Sequence, residues 1–531
     1  MSLTGGSEGA GEKAVTSDAA GGTLSPVAHY HTGMDRPSRK QSVDAAVGLL
    51  AGVAAVAGSL LAAGDTPAFV GASVAALVRD ASPAFVAVEV RGLGELAQPL
   101  LAAVTGLLLL GAYAAATTFA RRSVDGGAAA AGTTLALVGG GTLLLTGSLA
   151  SAIGAGIAAM VVVLAASRPL GPRRSAGGSR GRRRLLQAGA AALGALAAST
   201  VRLGGESDTA GSPDPPDPAA QSLLSVAEER SFSLPDADGL VSDGFYTVDI
   251  ATVDPTLSPA DWELTVTGEV PEERSFTLSE LQAFDAERRF VTLRCVSDPL
   301  NGEKIDTALW DGVPVSTVLE AVDAPESCCV TLHAADDYFV SFPREALDSG
   351  LLAWGMNGRP LPRGHGAPLR TLVPGHWGET NAKWLTEIEI REEPEDGYWE
   401  QRGWEGTGEV NPVAKLHSTA VRDGTVRVGG HAYAGTRGID AVEVSTDGGD
   451  SWTEAALSDP LPGAVPLDAA EPEPDGAAAD AWRMWEHEYD ADERHELVVR
   501  VIDGDGERQT RDQQGVRPSG ATGWVSETIR P

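Results

Sequence analysis

Three stretches without a charged side chain dominate the first third of this chain: Ala45 to Gly64 runs 20 residues, Leu96 to Ala120 runs 25, and Gly126 to Ser167 runs 42. A helix needs about 20 apolar residues to cross a bilayer. The first two stretches are each one span, and the third is two spans joined by a tight turn near Thr146-Gly147-Ser148. A shorter apolar segment, Leu185 to Val201, makes a fifth. Residues 41–203 are therefore expected to form a five-span transmembrane α-helical anchor, after a disordered leader over residues 1–40 rich in Gly, Ser and Ala.

Basic residues orient the spans. Arg36, Arg39 and Lys40 precede the first, Arg121 and Arg122 follow the second, and a run from Arg168 through Arg182, Arg183 and Arg184 separates the fourth from the fifth. Short loops rich in Lys and Arg stay in the cytoplasm, so five crossings place everything after Val201 on the extracytoplasmic side. The loop from Asp65 to Glu95 is then also outside, with Pro67 to Val70 in the interface. Arg182-Arg183 before an Ala/Gly segment reads either as an internal twin-arginine export signal or as a plain block of positive charge; both give the same topology. No ionisable residue interrupts the helix centres, and none of the nine histidines lies in an apolar run. That speaks against a transporter, a channel or a haem-binding bundle.

Charge divides the chain in two. Residues 1–200 carry 15 Lys and Arg against 10 Asp and Glu; of totals of 40 and 73, that leaves 25 against 63 for the remainder. Such an acidic surface repels nucleic acid and suits a protein kept soluble at high salt, as in a halophilic source. Residues 204–224, with Pro213, Pro215, Pro216 and Pro218, are expected to be an extended linker. Residues 225–400 mix short β-rich runs with helix signals such as a capping box at Thr277 to Glu280, an α+β pattern. From Gly408 to the end, alternating Val426/Val428, Val442/Val444 and Leu497/Val499/Val501 ahead of Asp-Gly turns predict an all-β immunoglobulin-like sandwich, with Asp468 to Asp480 as a surface loop.

Three cysteines are too few for an iron–sulfur cluster or a four-thiolate zinc site. Cys328 and Cys329 precede a strand and should point to opposite faces, one in the core and one near the surface; a disulfide between neighbours is not expected. Cys295 stands alone after an apolar run. One soft thiolate is what a molybdenum or copper centre uses.

Taken in order, Phe290 to Ser297, Trp310 to Pro314, Met356 to Pro362, His365 to Arg370, Pro374-Gly375, Lys383 to Leu385, Tyr398 to Trp404 and Val442 to Gly449 resemble the sulfite oxidase family of molybdopterin enzymes, over roughly residues 230–531. The resemblance implies a molybdopterin-binding catalytic domain at 225–400, a dimerisation domain at 408–531 and the molybdenum cofactor. It implies that Cys295 is the protein thiolate on molybdenum, that His365 and Arg370 hold the pterin and its phosphate, and that Lys383 is a further cofactor contact. A guanidinium fork suits a phosphate. His376 and Trp377 are further candidates by neighbourhood.

The departures from the family's pattern bear on substrate. Thr247 and Thr380 stand where arginine is usual, Trp354 stands where a tyrosine beside the metal is expected, and Asp298 adds negative charge next to the metal. Cys295, Trp354 and Asp298 are therefore the catalytic candidates. Loss of charge-assisted hydrogen bonds to a dianion implies an oxygen-atom-transfer enzyme that is sulfite-oxidase-like without being a dedicated sulfite oxidase, or a sulfoxide-type reductase. A metal-free surface binding module is the alternative from another class. With no haem or cluster motif in the chain, electrons would pass to an external haem or blue-copper carrier, and the resemblance implies a homodimer.

Overall fold

The computed structural model describes residues 39–64, 66–81, 97–167, 188–190, 192, 216–251, 253–469 and 474–531. Among the described residues five helices come first: α1 Arg39–Ala63, α2 Val70–Ala81, α3 Ala97–Ser123, α4 Gly127–Thr146 and α5 Leu149–Ser167. Four of them, spanning Lys40–Ala63, Ala102–Ser123, Gly127–Thr146 and Leu149–Ser167, are long and apolar enough to cross a membrane. The turn expected at Thr146-Gly147-Ser148 is there: Gly147 closes α4 at φ 64, where a side chain would be strained. The leader and most of the expected fifth span lie outside the described residues. Residues 188–190 and 192 are helical, and Ala188 and Ala192 pack into the helical core. The Asp65 to Glu95 loop contains the short helix α2, which the hydropathy reading missed because its apolar residues occupy one face only.

Small residues let these helices pack closely. A side chain on Gly58 or Gly154 would strike the opposing backbone, so α1 and α5 cross on glycine. Ser59 and Ser151 share a buried hydrogen bond of 2.6 Å, and Arg121 closes on Asp44 at 2.8 Å.

The expected linker ends earlier than composition suggests. Residues Pro218–Arg230 form helix α6: Asp217 caps it by accepting from the Ala219 amide, Pro218 takes the first turn, and Ala220, Leu223 and Ala227 bury one face. Asp217 also pairs with Arg288, so the chain is pinned where it enters the globular part.

The α+β region holds two sheets. In the first, β1 (Glu263–Gly268) and β10 (Leu385–Arg391) run parallel at the centre, with β2 (Arg274–Thr277) on one side and β5 (Cys329–Ala334) and β6 (Phe339–Pro343) on the other. The capping box is present, Thr277 accepting from the Glu280 amide at the head of a single helical turn. In the second sheet β3 (Glu287–Arg294), β4 (Ile305–Pro314), β7 (Leu351–Met356) and β8 (Arg359–Pro360) lie side by side, and β9 (Arg370–Leu372) pairs with β7. Trp262, Leu264, Val266, Phe276, Leu332 and Ile388 fill the core over the first sheet.

The C-terminal region is all-β, in two antiparallel sheets. One contains β11 (Val413–Ala414), β12 (Ser418–Arg422) and β13 (Thr425–Tyr433); the other is built on β14 (Ile439–Ser445). Residues Arg483–Asp490 and His495–Asp503 complete their centres. Alternation works as expected: Val426, Val428, Val442, Val444, Leu497, Val499 and Val501 all face the shared core. The Asp468 to Asp480 loop is not wholly superficial. Its last residue, Asp480, is buried and accepts from the Tyr433 hydroxyl at 2.6 Å; the residues just before the loop, Val465–Pro466, pair with β3.

Cys328 and Cys329 do not part to opposite faces. They form a vicinal disulfide at the head of β5, because Cys328 lies just outside the strand, where the alternation that would separate them has not begun.

Candidate active site

Cys295 leaves β3 at the first residue beyond the sheet, 7% exposed, and is the free cysteine of the chain. Its amide donates to the Lys304 carbonyl and its carbonyl accepts from the Asp298 amide, both at 2.9 Å, so the thiol sits inside a closed turn. Sγ lies 3.2 Å from the Ser297 hydroxyl. Burial pushes the thiol pKa up, with Ser297 acting against it. Without a metal the group is a neutral thiol; a bound cation would strip its proton.

Two segments close over Cys295. A side chain on Gly378 would come within 2.8 Å of the Tyr246 hydroxyl and 3.5 Å of the Cys295 Cα, so glycine is what lets Tyr246 and the Gly378–Thr380 turn reach the thiol. Tyr246 is held by its amide, which donates to Asp306 at 2.6 Å. Its hydroxyl is pushed well above its ordinary value by burial and by the neighbouring Cys295. The 245–249 stretch drew notice in the sequence only for Thr247, which is exposed; Tyr246 and Asp249 are the residues that reach inward.

His365, Arg370 and Lys383 converge through one glycine. Gly366, at φ 110, leaves room so tight that a Cβ would meet Lys383 and Arg370 at 3.0 and 3.1 Å. Phe245 connects this cluster to the Cys295 side, edge-on to His365 at 5.6 Å and beside Tyr246 at 5.5 Å. Lys383 is neutralised by Asp249 at 2.6 Å and donates to the Gly364 carbonyl at 2.9 Å. Burial and the two cations hold His365 down to about 4, so its imidazole is neutral.

Arg370 is different. It is 4% exposed, lies 5.2 Å over the Trp310 ring, and donates to the His365 and Asn381 carbonyls, both at 3.2 Å. Its Nε has no partner. A buried guanidinium with an orphaned donor and no carboxylate on it fits an anionic group such as a phosphate.

Other sequence candidates land elsewhere. Trp354 is not on the Arg370 face: Ala353 pairs with Arg370 across β7 and β9, so Trp354, one residue on, points to the opposite side. There it lines a cavity of about 330 Å³ with Leu278, Pro360, Leu361 and Pro368. Thr380 is fully buried and spends its hydroxyl on the Trp377 carbonyl at 2.9 Å. Trp377 is a core residue beneath the Arg294 guanidinium, and His376 turns to the Pro374 carbonyl at 3.0 Å. Asp298 adds no unpaired charge beside the thiol, because Arg294 at 3.0 Å and Lys415 at 2.6 Å both hold it.

An acidic flank escaped the sequence reading. The Glu379 and Glu400 carboxyls face one another in a buried pocket, and burial with mutual repulsion drives Glu379 up to about 9. Tyr338 donates to the Glu379 carbonyl at 2.7 Å, and Asp336 is raised to about 6 by burial. Both glutamates come from short 3₁₀ turns separated by some twenty residues, with no spacing signal to unite them.

Residues 251–399 match the model of the oxidoreductase molybdopterin binding domain, and residues 408–516 that of the Mo-co oxidoreductase dimerisation domain. The chain belongs to the sulfite oxidase family of molybdenum-dependent oxidoreductases. Its cofactor is the molybdenum cofactor. It is 29% identical over 328 residues to the mitochondrial sulfite oxidase of Mus musculus, covering 51% of this chain and 58% of that protein. Against the sulfite oxidase of Arabidopsis thaliana identity is 25% over 311 residues, covering 48% and 78%. The chain thus spans little more than half the length of the animal relatives it matches. Among solved structures, the sulfane dehydrogenase SoxCD of Paracoccus pantotrophus matches at a TM-score of 0.42 and 21% identity, covering 52% of this chain and 79% of that one.

Proposed function

We propose that this chain is a membrane-anchored oxidoreductase that transfers an oxygen atom at a single molybdenum centre, with Cys295 as the protein's thiolate ligand. In this reading residues 41–203 are the anchor, 225–400 the catalytic domain on the extracytoplasmic side, and 408–531 an immunoglobulin-like domain through which two copies pair. The bound cofactor supplies two-electron oxygen-atom transfer. The protein's part is to hold it and to shape what reaches it. Cys295 gives a soft ligand, Arg370 and His365 hold the anionic end, Lys383 with Asp249 braces the same loop, and Tyr246 closes over the thiol. The departing electrons would pass to an external haem or blue-copper carrier.

The distribution of charge carries the substrate reading. Arg294 and Lys415 are tied to Asp298, Lys383 to Asp249, and Arg370 faces the cofactor's anion. A dianion such as sulfite would be desolvated without a guanidinium to replace its water. A thioether is the better fit: R₂S + H₂O gives R₂SO with two protons and two electrons, and the reverse is sulfoxide reduction. Steady-state assays of the molybdenum-loaded chain should give a kcat/KM for sulfite at least about a hundredfold below that for a sulfoxide or thioether. Sulfite turnover with a micromolar KM, at the low end of the enzyme range, would overturn the substrate assignment.

Arg370→Met should lower molybdenum and pterin content by about 10- to 100-fold, the range found when a supporting contact is lost. Unchanged content, measured by metal analysis and pterin fluorescence, would remove Arg370 from the cofactor site.

A further inference from the structure

The loop that carries Cys295 is held by the C-terminal β region as much as by its own domain. Lys415, between β11 and β12, is fully buried, and its ammonium crosses into the Cys295 turn. It donates to Asp298 at 2.6 Å and to the Gly302 carbonyl at 2.7 Å. Its own backbone is locked in the C-terminal sheet, the amide to His431 at 2.8 Å and the carbonyl accepting from Trp485 at 3.0 Å. Neighbours repeat the pattern: Asn301 and Leu416 exchange two hydrogen bonds of 2.8 Å, and Arg294 donates to the Asn411 carbonyl at 2.9 Å. Asp298 in turn accepts from Arg294 at 3.0 Å and from the Lys304 amide at 3.0 Å, while its own amide donates to the Cys295 carbonyl.

Two buried cations therefore share one buried carboxylate directly behind Cys295. As stability devices such clusters are poor, because desolvation offsets the attraction. As a positioning device the cluster fixes the turn from both sides, through Arg294 on the strand and Lys415 on the C-terminal sheet.

We propose that Lys415 is a positioning residue for Cys295, so that the C-terminal region holds the metal-binding turn in its working geometry in addition to any role between copies. The proposal rests on Cys295 being the metal ligand, but its first test does not. In the cofactor-free full-length chain, Cys295 is the one thiol, since Cys328 and Cys329 are joined. Its alkylation by iodoacetamide reads directly whether the turn opens.

Lys415→Met should raise the alkylation rate about tenfold or more, and lower the molybdenum held per chain by a similar factor. The paired variant Asp298→Asn with Lys415→Gln, which keeps a neutral hydrogen bond in the same place, should return both toward the wild-type values. Tyr433→Phe removes hydrogen bonds to Thr292 and Asp480 elsewhere on the same interface, so it controls for loosening of the domains. It should lower the melting temperature yet leave alkylation within about twofold. Lys415→Met that alkylates at the wild-type rate, or that only tracks Tyr433→Phe in melting and alkylation, would overturn the proposal; if Lys415→Met does not fold, a paired variant that alkylates as fast as unfolded chain does the same. Wild-type protein that takes up no molybdenum defeats the ligand reading while the alkylation comparison still decides the role of Lys415.

Discussion

Cys295→Ser should yield a folded chain that no longer retains molybdenum and turns over at less than about one-hundredth of the wild-type rate. The two halves of this expectation have separate physical grounds. Serine is nearly isosteric, and within the described residues the sulfur's one hydrogen bond is to Ser297, so the turn has little reason to collapse. A serine hydroxyl is a hard, weakly acidic donor, whereas a thiolate matches a soft metal centre and stays deprotonated on it. Metal analysis beside a thermal melt separates ligand loss from unfolding. Equal molybdenum and equal activity in both proteins would sink the ligand assignment.

Glu379→Gln should stabilise the chain at pH 8 by on the order of 2–4 kcal/mol and leave it nearly unchanged at pH 4. Burial comes first among the causes and the facing Glu400 second, and together they hold Glu379 up to about 9. The folded chain therefore binds this proton more tightly than the unfolded one. The stability it contributes is fully present below the ordinary carboxylate pKa near 4.5 and is lost as the pH rises from there toward 9. Glutamine carries its donor at every pH and can still give a hydrogen bond to Glu400, so the variant's melting temperature should be flatter between pH 5 and 9. Wild type and variant melting in parallel over that range would mean that the pair does not share a buried proton.

The glutamate pair also illustrates why part of the site was hidden. His365, Arg370 and Lys383 were legible through the family resemblance of the segments that carry them, and the structure brings those three together at Gly366. Glu379, Glu400, Tyr246 and Lys415 each belong to a different turn or region, and nothing in their immediate neighbours distinguishes them from solvated side chains. Trp354 misled for a simpler reason: its position in sequence was close to the His365 to Arg370 segment, but strand alternation turned it to the face opposite Arg370. Asp298 misled because its partners are four and 117 residues away, so its charge looked unpaired.

Hydropathy alone determined the four long apolar helices and the turn between the last two, because a run without charge leaves a chain few places to go. Alternating valines determined the C-terminal sheets, because a period of two is local. Burial and pairing were decided only in three dimensions. A carboxylate is repulsive, neutral or structural according to which cations close on it, and at Cys295 those cations arrive from opposite ends of the globular half, Arg294 along the strand and Lys415 from the C-terminal sheet.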